Sequence, residues 1–126
     1  MCNRLREDFT KIPAKGVAWK IFTRPSHGHL ALRSLVSAEH YATTKSGWVH
    51  WNSYDDKLGF CAFESIAETG KAVRQWVKVV RGTRRSHFII KKIEYKNGLG
   101  SHLETGFVHG VNMRTIIVRS FKVLGG

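Results

Sequence analysis

The residues best suited to chemistry in this chain are cations. Between positions 76 and 100 stand Lys78, Arg81, Arg84, Arg85, Lys91, Lys92 and Lys96 against one carboxylate, Glu94, with Trp76, His87, Phe88 and Tyr95 among them. Lysine and arginine neutralise phosphates and release counterions, and exposed rings stack on bases, so the pattern reads as a nucleic-acid contact whose affinity falls with salt. Arg84 and Arg85 follow a Gly-Thr turn signal and are expected to be exposed, whereas Phe88 and Trp76 are expected in the core. The predicted binding residues are those seven cations, acting with little sequence preference.

Other constellations are incomplete. Seven histidines invite a metal reading, and His27-Gly28-His29 puts two imidazoles in one turn, but neither Cys-x-x-Cys nor His-x-x-x-His occurs. The isolated His40, His50, His87, His102 and His109 are expected on the surface or hydrogen-bonded; no metal and no cofactor is predicted. Removal of Met1 would leave Cys2 as an N-terminal nucleophile with its own amine as base, which is one enzymatic alternative. Cys61, flanked by Phe60 and Phe63, reads as buried and inert. Asp55, Asp56, Glu64, Glu68, Glu94 and Glu104 form no acid and base pair, and Gly98, Gly100, Gly106 and Gly110 lack the Lys-Ser or Lys-Thr of a phosphate loop. The terminal Leu124-Gly125-Gly126 reads as a disordered tail.

The scaffold that must hold the cations is bounded by length. A chain of 126 residues suits a single domain, 1–126, with one core that buries roughly two thirds of the unfolded surface. Residues 1–16, broken by Pro13 and Gly16, read as a lead-in arm. Net charge is +12, and residues 1–25 also carry an excess of cations, so a fold that joins the two basic segments would make one positive face. Two cysteines do not make a disulfide scaffold, and no signal segment or long apolar run is seen, so the expected setting is a reducing cytoplasm with no membrane contact.

Strand-like runs are Val17 to Thr23, Leu30 to Val36, Gly47 to Trp51, Gly59 to Phe63, Phe88 to Tyr95 and Met113 to Leu124. Ser65-Ile66-Ala67-Glu68 fits a capping box, and Ile66, Gly70, Val73, Val77 and Val80 then recur at helical spacing until Gly82, which predicts a helix over 66–80. Asn97-Gly98 between extended segments predicts a tight hairpin turn. The expected fold is α+β: a small mixed or antiparallel sheet of about five or six strands with one main helix on one face.

The Met-Cys start, Trp19-Lys20-Ile21-Phe22, Gly59-Phe60-Cys61-Ala62-Phe63 before a capped helix, Ile89-Ile90-Lys91-Lys92-Ile93 and Thr115-Ile116-Ile117-Val118 together resemble a diffuse group of small uncharacterised phage and prophage accessory proteins. That group commonly has Gly-Phe-His before the helix, and Cys61 stands where the His would be. The resemblance implies action on host machinery in the host cytoplasm, including inhibition of nucleic-acid-guided defence in the manner of an anti-CRISPR. It also leaves open a distant likeness to small ADP-ribosyltransferase-like domains. The expected function is thus a basic binding protein for nucleic acid or a host nucleoprotein. The alternatives are a small enzyme of the ADP-ribosyltransferase-like or N-terminal Cys type, and an inhibitor docking on an acidic protein surface.

Overall fold

A computed structural model describes residues 4–23, 31–34, 40–42, 47–51, 54–79, 82, 84–104 and 113–124. In chain order its strands are β1 (Lys15–Thr23), β2 (Ala31–Ser34), β3 (His40–Ala42), β4 (Val49–His50) and β5 (Phe60–Phe63). The helix α1 (Ile66–Val79), a 3-10 turn at Arg85–His87, and the long strands β6 (Phe88–Glu104) and β7 (Met113–Val123) complete the described elements. Every strand pairing is antiparallel, and the seven described strands exceed the five or six expected.

The pairings close on themselves. β1 pairs with β6, β6 with β7, β7 with β5, and β5 returns to β1 through the single pair Trp19 and Phe63. Closure removes the open edges that a flat four-stranded sheet would expose. β2 and β3 extend from the far end of β1, and β4 lies beside β7.

Strand alternation, interrupted in β7 between Val118 and Phe121, sorts the side chains of this ring into two sets. Ala18, Phe22, Phe60, Ala62, Ile93, Tyr95, Ile116, Val118 and Phe121 form one buried cluster. Phe22 on β1 and Phe121 on β7, strands that do not pair, have ring centroids 6.0 Å apart, which places this cluster inside the ring. Ile21, Cys61, Phe63, Phe88, Met113 and Ile117 face outward and join Ala72 and Val73 of α1 in the second cluster. The helix therefore covers the part of the outer surface that these residues form.

Ser65 starts that helix as expected: its hydroxyl accepts from the Glu68 amide at 3.2 Å. The reciprocal half of the capping box is not made, and Glu68 Oε2 is buried with no hydrogen-bond partner among the described residues. Thr69 takes part instead, its hydroxyl donating to the Ser65 carbonyl at 2.7 Å. Ile66, expected on the buried stripe, is 56% exposed, and burial starts at Thr69, Ala72 and Val73. Gly82 follows the helix with φ at +84°, the left-handed conformation that ends helices.

Asn97-Gly98 does not turn the chain back. It lies within the unbroken β6, where Asn97 adopts φ +55° and the register with β7 shifts between Gly98 and Gly100. The pair supplies the local twist that lets one long strand serve first β1 and then the lead-in arm. A side chain at Gly98 would meet the Pro13 carbonyl oxygen at 2.6 Å and the Tyr95 ring at 2.8 Å. The arm packs: Leu5 is buried, Thr10 bridges Ser101, and Arg4 bridges Leu58 while its guanidinium pairs with Asp55.

Candidate nucleic-acid interface

The two basic segments meet. β1 runs antiparallel to β6 over nine aligned positions, from Lys15 opposite Lys96 to Thr23 opposite Phe88. Because alternate residues share a face, the outward residues of β1 and β6 can be followed from the helix-covered end to the open end. Ile21, Phe88 and Ile90 lie under α1. Past them the same face carries Val17, Trp19, Lys92, Glu94 and Lys96, none of which belongs to the cluster under α1.

Register extends this open face across four strands. Lys15 aligns with Lys96, Lys96 with Ser120, and Ser120 with His50; one step along, Val17 aligns with Glu94 and Glu94 with Lys122. The next row pairs Trp19 with Lys92. Lys15, Val17, His50, Lys92 and Glu94 are exposed, while Trp19, Trp48, Lys96 and Lys122 are half-buried. Four lysines against Glu94 give the described patch a net positive charge.

Both tryptophans of the patch are engaged by its lysines. Lys96 Nζ sits 3.9 Å from the Trp48 ring centroid and Lys92 Nζ 5.9 Å from that of Trp19. Such contacts hold an ammonium over a ring while leaving its other N–H donors to solvent or an anion. His50 Nδ1 and the buried Ser120 hydroxyl, 2.7 Å apart, fix the edge of the patch at β4. Arg119 anchors the segment before β5: its guanidinium donates to the carbonyls of Asp55 at 2.7 Å and Leu58 at 2.8 Å. Asp55, held by the Lys57 amide and by Arg4, has its carboxyl below the usual carboxylate range.

The structure divides the seven predicted cations. Lys92 and Lys96 lie on the open face. Lys91 is half-buried and shares the inward parity of Ile93 and Tyr95, aligned with Lys20. Lys78 is exposed in the last turn of α1, where a cation also complements the helix dipole. Arg84 and Arg85 are exposed as expected, in a turn fixed by the His87 amide donating to the Arg84 carbonyl at 2.9 Å. The helix-covered stretch of β6 separates them from Lys92. Arg81 and the Trp76 side chain lie outside the described residues, as do Cys2, His27, His29 and His109. Phe88 and Cys61 are buried, as expected. Lys15, Lys122, Trp19, Trp48 and His50 were not among the predicted contacts; alternation in Lys15-x-Val17-x-Trp19 puts Lys15 and Trp19 on one face, whereas Lys122, Trp48 and His50 join it only through pairing between distant strands.

One lysine lies on the inside. Lys20 is 3% exposed, donates from Nζ to the Cys61 carbonyl at 2.8 Å, and stands 5.6 to 5.8 Å from the ring centroids of Phe22, Phe60 and Phe121. It occupies the point where β1 leaves β5 and takes up β2, so its ammonium serves a carbonyl beyond the single ladder pair. Burial lowers its pKa to about 8, with the Cys61 thiol acting in the opposite sense.

Comparison with protein families, curated proteins and solved structures returned no match to this chain. Among the described residues no group of three His, Cys, Asp or Glu could hold a metal ion, and no helix is long and apolar enough to cross a membrane.

Proposed function

We propose that the open outer face of the barrel binds the phosphodiester backbone of nucleic acid. The observation that carries this reading is the alignment of Lys15, Lys92, Lys96 and Lys122 on adjacent rows of one uncovered sheet face, with two indoles among them. Cations spaced along neighbouring strands can each meet a phosphate, and the resulting affinity is electrostatic and tolerant of sequence. Arg84, Arg85 and Lys78 add to the long-range field that steers a polyanion towards the molecule.

Taken with the resemblance to phage and prophage accessory proteins, the partner is nucleic acid or a host nucleoprotein in the host cytoplasm, and interference with nucleic-acid-guided defence is a use such a surface would serve. The test is capture of partners from host lysate with and without nuclease, beside binding of purified oligonucleotides. Loss of the partner after nuclease supports the proposal. Retention of a protein partner, with no oligonucleotide binding at low salt, points instead to docking on an acidic protein surface.

A further inference from the structure

We infer that the occupant of the open face is a single-stranded polynucleotide whose bases stack on Trp19 and Trp48; this rests on the nucleic-acid reading above. The described part of the face is the outer wall of a barrel, and no helix or hairpin described there projects from it to enter a groove. A duplex would offer this wall only its phosphates. A single strand offers phosphates and unpaired ring faces together, which is the chemistry of a surface that alternates ammonium groups with indoles.

The lysine positions make an exchange possible. In the unbound protein Lys92 and Lys96 cover Trp19 and Trp48. Each is a flexible side chain whose ammonium can swing from ring to phosphate, and the vacated ring then takes a base. The same two residues thus protect the indoles from water when the face is empty and neutralise the backbone when it is filled. Trp19 stands on β1 and Trp48 just before β4, with β6 and β7 between them, three strand steps of about 4.8 Å each. Stacked bases in one strand are about 3.4 Å apart, so the two indoles would hold non-adjacent bases.

The experiment compares Trp48→Leu, Trp48→Phe and the double variant Lys92→Gln/Lys96→Gln with the unmodified chain, using oligothymidylate, oligouridylate and a mixed-sequence DNA duplex of equal length. Either single strand is expected to bind at least about tenfold tighter than the duplex. Trp48→Leu should weaken single-strand binding by about tenfold, leave duplex binding and the salt slope unchanged, and be rescued by Trp48→Phe. The two oligomers show which sugar the face prefers. Equal affinity for duplex and single strand, or single-strand affinity indifferent to Trp48→Leu, would overturn the inference. If the salt slope still falls in the lysine double variant, the nucleic-acid reading survives that outcome; if no polynucleotide binds at low salt, both fail.

Discussion

Lys96 Nζ lies 3.9 Å from the centroid of the Trp48 indole, a contact that joins β6 to the short segment leading into β4. A half-buried cation–π pair of this kind contributes about 1 kcal/mol. Lys96→Gln should therefore cost about 1 kcal/mol in urea unfolding and also reduce the salt slope of single-stranded oligonucleotide binding by about 0.7. A large loss of stability with an unchanged slope would make Lys96 a structural residue only.

Glu94 is aligned with Val17 on one side and Lys122 on the other, in the middle of the cationic rows. A carboxylate there opposes a phosphate. Glu94→Gln is expected to raise oligonucleotide affinity several-fold at low salt, with the gain fading as salt screens it. Isothermal titration at two ionic strengths checks both parts.

Lys20 gives the fold a basic-side pH dependence. Its folded pKa, lowered by burial from 10.5 to about 8, means that the unfolded chain binds more protons across that window. Stability therefore rises as pH climbs from about 8 to 10.5 and falls again as pH drops back through 8, with a span on the order of 3 kcal/mol. Lys20→Met removes this contribution. It also takes from the Cys61 carbonyl its ammonium donor, so the constant offset between variant and parent can have either sign. The readout is the difference in pH slope, and parallel profiles for the two chains would contradict the assignment.

Two glycines should respond in opposite ways to alanine. At Gly70, inside α1, an added Cβ would meet only Arg74 Nη1 at 3.5 Å, so Gly70→Ala should stabilise by roughly 0.5 to 1 kcal/mol through helix propensity. At Gly16 the Cβ would fall 2.7 to 2.8 Å from the Tyr95 ring, and Gly16→Ala should destabilise by about 1 to 3 kcal/mol. Thermal unfolding of the pair decides this.

What was legible in the sequence follows the range of the forces involved. The Ser65 cap, the helical recurrence of Val73 and Val77, and the β-branched and aromatic runs of β1, β5 and β7 are local signals, and they mark elements close to their observed bounds. Asn97-Gly98 is also local, but its positive φ suits a bend within a strand as well as a turn, and contacts with Pro13 and Tyr95 decide between them. Closure of the ring depends on pairing between strands distant in sequence, so its shape was hidden. The same holds for the patch. Charge density marked Lys92 and Lys96, but only cross-strand register brings Lys15 and Lys122 beside them and turns the adjacent Lys91 to the other side. Nothing in composition distinguishes the buried Lys20 from the surface lysines.

The most direct test of the central claim is the slope of log affinity against log salt for a short single-stranded oligonucleotide, measured for the parent chain, for Lys92→Gln/Lys96→Gln and for Arg84→Gln/Arg85→Gln. With the open face as the binding surface, the lysine pair should lower the slope by about 1.4, near 0.7 for each phosphate that is no longer neutralised, and the arginine pair by clearly less. An unchanged slope in the lysine variant, or a larger effect from the arginines, would contradict the account and move the binding surface to the turn before β6.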